Sequence, residues 1–128
     1  MGDVGPGDNL YSSSVIALDV STGELKNHHQ YHWNDSWDWD EVSAPLLIDF
    51  ERDGRSVNGM VHAGHNGYLW YLEREADAIN FVDAHPDVYQ DVFASINPVT
   101  GRPEYDKTKK PGTGTETTCC SVGVGGRD

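Results

Sequence analysis

Between residues 33 and 41 the chain sets four carboxylates, Asp35, Asp38, Asp40 and Glu41, among three indoles, Trp33, Trp37 and Trp39. Like charges repel, and an indole seeks an apolar setting with one partner for its N–H. A carboxylate within hydrogen-bond reach of a hydroxyl can act as a general base. Closely spaced carboxylates also supply the oxygen donors that hard cations prefer. If the segment is extended, residues two apart share a face. Asp38 and Asp40 would then point together and could clamp a cation, while Asp35 and Glu41 would face away into solvent.

The histidines form a second candidate. His28, His29 and His32 fall in "HHQYH". On a helix His28 and His32 would share a face at i, i+4, the spacing of a zinc pair. The stretch has no N-cap and no apolar stripe, so the expected state is an extended strand with exposed imidazoles. His65, in "HAGHNG", is by default an exposed turn residue. Other chemistries lack a motif: neither G-x-x-x-x-G-K-[ST] nor G-x-S-x-G occurs, and "GVGGRD" is a poor dinucleotide signal.

Composition bounds the rest. The chain has 128 residues and a formal net charge of −12, which argues against nucleic acid, whose phosphates require basic clusters. No run approaches the roughly 20 apolar residues of a membrane span. The first ten residues show neither a basic nor an apolar secretory region. Cys119 and Cys120 are adjacent, can bridge each other only with strain, and are too few for a four-cysteine zinc site.

The elements that would position these residues read as short strands. Residues 12–20, 26–33, 44–50, 58–64 and 67–73 carry β-branched, aromatic or alternating patterns. Turns are expected at "STGEL", "ERDGRS" and "HNG", the last because Asn66 and Gly67 both tolerate positive φ. Residues 75–93 look less regular, 94–106 form a turn-rich return, and 107–128 read as loop. "ALDVSTGEL" (17–25) and "SINPVTGRP" (95–103) form a weak repeat, with "YLEREADAI" (71–79) as a degraded third copy. Recurrent turns between short strands suggest propeller blades or a sandwich.

Taken in order, "GPGDNLYSSSVIALDVSTGEL", "NDSWDWDEVSAPLLID", "VHAGHNGYLWYLER", "NPVTGRPEYD", "KKPGTG" and "CCSVGVGGRD" resemble the pyrroloquinoline quinone (PQQ) dependent alcohol and methanol dehydrogenases, which are eight-bladed β-propellers. The resemblance implies an all-β antiparallel fragment, residues 1–128, forming about two blades of that propeller. The family's blade-docking pattern A-x-D-x-x-x-G-x-x-x-W is met by Ala17, Asp19 and Gly23, but Asn27 stands where Trp is expected.

The resemblance also implies roles. Asp38 falls at the catalytic base and next to the metal, with Trp37 and Trp39 either as apolar walls that limit water or, whatever the function, as structural packing. Asp40 is similar to the extra metal ligand of the lanthanide-using members, so Ca²⁺ or a lanthanide is implied beside PQQ. His65 stands where most relatives place Arg or Lys against the quinone, and Asp128 where they place Asn or Asp near the cofactor. Cys120 matches a cysteine whose partner would lie further on. The remaining metal ligands, a Glu and an Asn, would lie upstream of Met1. Implied partners are a small alcohol, a cytochrome c electron acceptor and the remainder of the propeller; the implied compartment is the periplasm. Such a fragment is expected to be inactive alone. Two other readings stand beside this one: a non-catalytic propeller fragment or interaction module, and a His-rich metal-binding protein.

Overall fold

A computed structural model describes residues 5–112 and 116–117. It contains ten strands: β1 (Ser14–Leu18), β2 (Leu25–Gln30), β3 (Leu46–Leu47), β4 (Phe50–Arg52), β5 (Arg55–Val57), β6 (Gly59–Ala63), β7 (Tyr68–Arg74), β8 (Ile79–Pro86), β9 (Phe93–Ile96) and β10 (Pro103–Tyr105). One 3₁₀ turn, Lys107–Lys109, follows; the Asp106 carboxylate caps it by accepting from Thr108 N at 2.9 Å. No α-helix occurs among the described residues, and none of their segments is a helix long and apolar enough to cross a membrane.

The fold is all-β and antiparallel, as the sequence implies. β3, β6, β7 and β8 form a four-stranded sheet in that order, and β4–β5 is a hairpin excursion between its first two strands. β1–β2 and β9–β10 are separate two-stranded hairpins. Alternation builds the core face of the large sheet. Met60 lies opposite Leu72 and His62 opposite Trp70; across the next pair, Trp70 meets Ala84 and Leu72 meets Phe81. Tyr31, Trp39, Val92 and Phe93 close the core from the segments outside that sheet.

The hairpins dock through rings. His29 of β2 stacks on Phe81 of β8 at 6.0 Å and lies 5.7 Å from the Trp70 ring. The β9–β10 turn presses onto the same place. A Cβ at Gly101 would fall 2.4 Å from the Phe81 ring and 2.9 Å from that of His29, and its φ is +72°. Glycine is required there both for space and for backbone conformation.

The weak repeat is a repeated turn. Asp19 Oδ1 accepts from Ser21 N and Thr22 N, both at 2.9 Å, and Gly23 N bonds back to Asp19 O at 2.8 Å. Asn97 Oδ1 accepts from Val99 N at 2.9 Å and Thr100 N at 3.0 Å, and Gly101 N bonds back to Asn97 O at 2.9 Å. Residues 71–79 do not share it: their turn is shorter, closed by Glu75 N to Ala78 O at 2.9 Å.

Three local expectations are corrected. Residues 75–93 contain β8, at eight residues the longest strand; a register shift opposite Tyr71–Leu72 blurs its alternation. Residues 44–50 are not one strand, because the chain leaves the sheet after Leu47 to enter the β4–β5 hairpin, whose turn residues Asp53 and Gly54 take φ of 51° and 74°. In the β6–β7 turn only Gly67 is left-handed, at φ 84°; Asn66 is not.

Burial of His29 makes the fold acid-sensitive. Burial, assisted by the neighbouring His28, pushes its pKa from 6.5 down to about 4. The unfolded chain therefore binds a proton that the folded chain refuses. The stability this represents is complete above the unfolded pKa and drains away as pH falls from 6.5 towards 4, a swing of about 3 kcal/mol. Urea unfolding at pH 7.5 and pH 5.0 should show the loss, and His29→Gln should flatten it. An equal slope in the variant would mean that the linkage lies elsewhere.

Candidate functional site

An open cleft of roughly 520 Å³ lies against the aromatic–acidic stretch, lined by Asn9, Tyr11, Ser12, Ser13, Ser14, Asp35, Ser36, Asp38, Asp40 and Glu41. Asp38 and Asp40 are both exposed and both line it. They reach it by a different route from the pleat expected of them. Residues 33–41 form no strand, and Asp38 sits in the left-handed region at φ 65°, a conformation that Asp and Asn tolerate better than most side chains.

Asp35 and Glu41 are not solvated, contrary to expectation; both turn inward. Asp35 accepts from Trp37 N at 2.8 Å and Trp39 N at 2.9 Å, and His32 Nε2 lies 3.7 Å away. Burial alone would raise its pKa; His32 and the two amides outweigh burial and hold it below the usual carboxylate range. The loop thus folds around its own first carboxylate.

Trp37 and Trp39 are absent from the cleft lining. They stack on each other at 5.1 Å beneath the loop, and Trp39 meets His32 and Phe93 edge-on at 5.7 and 5.9 Å. They are therefore support rather than walls. Trp37 Nε1 donates to Lys109 O at 2.8 Å, and Trp33 Nε1 to Pro103 O at 2.7 Å. The Tyr105 hydroxyl accepts from Trp33 N and donates to Trp33 O. Lys110 Nζ donates to Asn34 O at 2.7 Å from among the rings of Trp37, Tyr105 and Trp33, at 4.9, 5.2 and 5.4 Å. Partial burial lowers its pKa against the pull of Asp35. On the other side, Asp8 forms a two-pronged pair with Arg102 at 2.8 and 2.8 Å, and Asn34 Nδ2 reaches Gly5 O and Gly7 O. Asp8 of "PGDN" is thus a loop-shaping residue.

Glu41 enters a buried polar group. Its carboxylate lies 2.7 Å from His62 Nε2 and accepts from His65 N at 3.1 Å and Asn66 Nδ2 at 3.2 Å. Asn66 Oδ1 accepts from Tyr68 N at 3.2 Å and Trp70 Nε1 at 3.1 Å. Both of those are donors only, which fixes the amide orientation. Asn66 Nδ2 must then donate to His32 Nδ1 at 3.2 Å, leaving the His32 ring proton on Nε2, aimed at Asp35. His32 was a candidate from sequence only as half of a zinc pair, Asp35 and Glu41 only as solvated neighbours, and His62 and Asn66 were not candidates for this group at all. His62, on β6, had one available signal, its place across the hairpin from the core residue Trp70.

His65 is half-buried, not a free turn residue; its Nδ1 lies 3.3 Å from Asp40 O, while its Nε2 is buried and unpaired among the described residues. His28 lies on a strand and no helical zinc pair forms; His29 and His32 are buried rather than exposed. Asp128, Cys119 and Cys120 lie outside the described residues. Asp38 and Asp40 have the oxygen donors a hard cation takes. Among the described residues no group of three or more His, Cys, Asp or Glu converges as a complete metal site, so any cation here needs ligands from elsewhere.

Residues 1–78 match the family model described as the glucose/ethanol/alcohol dehydrogenase β-propeller domain, PQQ. The chain is 35% identical over 120 residues to quinoprotein alcohol dehydrogenase PedH of Pseudomonas putida, covering 93% of this chain and 20% of that protein. Among solved structures it is similar to a europium-containing methanol dehydrogenase (TM-score 0.85, 30% identity, 95% of this chain and 21% of that one). It is also similar to the quinohemoprotein alcohol dehydrogenase of Comamonas testosteroni (TM-score 0.73, 31% identity, 79% and 15%). The chain thus spans about a fifth or less of the length of these relatives.

Proposed function

This chain belongs to the glucose/ethanol/alcohol dehydrogenase β-propeller family, and from that premise we propose that it is the base-bearing part of a PQQ-dependent alcohol dehydrogenase. The observation that carries the reading is that Asp38 and Asp40 are both exposed and line the same cleft, on a loop held by Asp35, Glu41 and Lys110.

In this reading Asp38 removes the hydroxyl proton of the alcohol. Its carboxylate is exposed to the cleft and its backbone is set by the left-handed turn, so the oxygen atoms meet substrate directly. Asp38 and Asp40 together hold one side of a Ca²⁺ or lanthanide ion, and the second carboxylate adds the charge a trivalent ion needs. His65, at the position where a guanidinium is usual, does not line the cleft and directs its Nδ1 to Asp40 O at 3.3 Å, so in this reading it supports the loop rather than donating to the cofactor. When bound, PQQ and its cation supply the hydride acceptor and the electrophilic polarisation.

The open cleft, and the lack among the described residues of a complete set of metal ligands, support the reading that the segment needs the rest of the propeller for activity. The exposed apolar run Leu46, Leu47 and Ile48, on the open edge of the large sheet, supports contact with the remainder of the propeller. A small alcohol substrate, a cytochrome c acceptor and a periplasmic location complete the proposal. Asn27, at the position of the missing docking Trp, donates to Asp77 O at 3.0 Å in the β7–β8 turn, so the first hairpin stays tied without that indole.

Full-length protein reconstituted with PQQ and either Ca²⁺ or La³⁺ tests the reading through alcohol-dependent dye reduction. Activity is expected with at least one ion, and Asp40→Ala should abolish the La³⁺-dependent part. Undiminished La³⁺-dependent turnover in that variant would overturn the ligand assignment. No alcohol oxidation with either ion would overturn the dehydrogenase reading.

A further inference from the structure

The geometry points to Glu41 as the positioning residue of the acidic loop, an inference that rests on the dehydrogenase reading only for its catalytic consequence. Glu41 directly follows Asp40, yet its side chain is only 4% exposed while Asp38 and Asp40 are open to the cleft. A buried carboxylate is costly unless its oxygens are met by donors. Here they are: His62 Nε2 at 2.7 Å and His65 N at 3.1 Å serve one oxygen, and Asn66 Nδ2 at 3.2 Å serves the other. A carboxylate only accepts, so His62 carries its ring proton on Nε2.

The donors come from β6 and from the β6–β7 turn, both parts of the rigid sheet, whereas Glu41 belongs to the irregular loop. The contact therefore rivets loop to sheet at the residue beside the proposed cation ligand. His65 doubles the joint by placing its Nδ1 3.3 Å from Asp40 O. Behind the joint, Asn66 is itself held by Tyr68 N and Trp70 Nε1, so its amide cannot turn over. His62 is backed by Tyr31, whose ring stacks on it at 4.4 Å.

This arrangement makes Glu41→Gln informative. A glutamine places one N–H₂ where an acceptor oxygen stood. In one orientation it confronts His65 N–H, in the other the Asn66 amide; neither donor can become an acceptor. At pH 7.5 the variant is expected to exchange the amide hydrogens of Trp37, Trp39 and His65 at least about tenfold faster, an opening of that loop alone. Trp70 and Leu72, inside the sheet, should keep their protection. Unchanged exchange at Trp37, Trp39 and His65 would overturn the anchor.

Should the variant fail to fold, the unaltered chain still decides. Its His62 ring should show a slowly exchanging Nε2–H with a nuclear Overhauser contact to the Glu41 methylenes. A rapidly exchanging ring proton, or the Nδ1-protonated tautomer, would overturn the assignment. In PQQ-loaded full-length enzyme, Glu41→Gln should lower kcat about 100-fold by misplacing the base, with the alcohol KM changed by less than about threefold. An open loop with unaltered kcat would overturn the positioning role. If the unaltered enzyme oxidised no alcohol, the dehydrogenase reading would fall, while the exchange data would still decide the anchor.

Discussion

Asp38→Asn is expected to lower kcat of the PQQ-loaded full-length enzyme by about 10²–10⁴-fold, the range lost when a positioned general base is removed. The substitution is chosen for what it leaves in place. Asn matches Asp in shape and shares its tolerance of the left-handed backbone, so the φ of 65° is kept. The loop anchors, Asp35 and Glu41, are untouched, and their hydrogen bonds do not involve Asp38. The one thing lost is the ability to take a proton. Glu at the same position should not restore the rate, because it reaches further and is less at ease with positive φ. Activity within threefold of the parent in Asp38→Asn, with the loop amides still protected, would remove Asp38 as the base.

Trp70→Ala should produce the largest change in stability. The side chain is fully buried, lies 5.5 Å from the Tyr31 ring, 5.7 Å from His29 and 6.2 Å from Phe81, and joins the sheet to the first hairpin. Truncating such an indole costs about 3–5 kcal/mol. That is a large part of the 5–15 kcal/mol typical of a whole domain. Its Nε1 also holds Asn66 Oδ1 at 3.1 Å, so the loss reaches the Glu41 joint. Trp70→Phe separates the two effects: it keeps most of the ring and removes one hydrogen bond to Asn66 Oδ1, which keeps that from Tyr68 N, at about 0.5–1.5 kcal/mol. Urea midpoints of both variants measure this. A Trp70→Ala midpoint within about 1 kcal/mol of the parent would show that the core is organised around some other residue.

Fold and site were unequally legible in the sequence. Strands with alternating patterns, such as Tyr68–Arg74, could be read directly, as could the turn at Asp53–Gly54, though not the short β4–β5 hairpin around it, because the first two depend only on neighbours in the chain. β8 was obscured where the register shift opposite Tyr71–Leu72 interrupts its period of two. At the site, "SWDWD" drew attention to a loop that lines a cleft, but with the wrong geometry. Alternation assumes an extended chain, and the left-handed turn at Asp38 removed that premise. It also misassigned Asp35 and Glu41. Their burial is decided by donors such as His62 and Asn66, twenty-one and twenty-five residues from Glu41, which no local pattern encodes. The same holds for His29, whose neighbour Phe81 lies on a strand far along the chain.

The corner built twice, once around Asp19 and once around Asn97, carries an evolutionary consequence. A carboxylate and a carboxamide do the same work there, since all that the two backbone amides demand is a single acceptor oxygen. Such a corner makes no demand on charge at the acceptor, while the threonine before the glycine works in both copies, its hydroxyl accepting from Glu24 N at 3.2 Å and from Arg102 N at 3.3 Å. Duplicated units can therefore diverge in charge at the acceptor while the bend they encode is inherited intact.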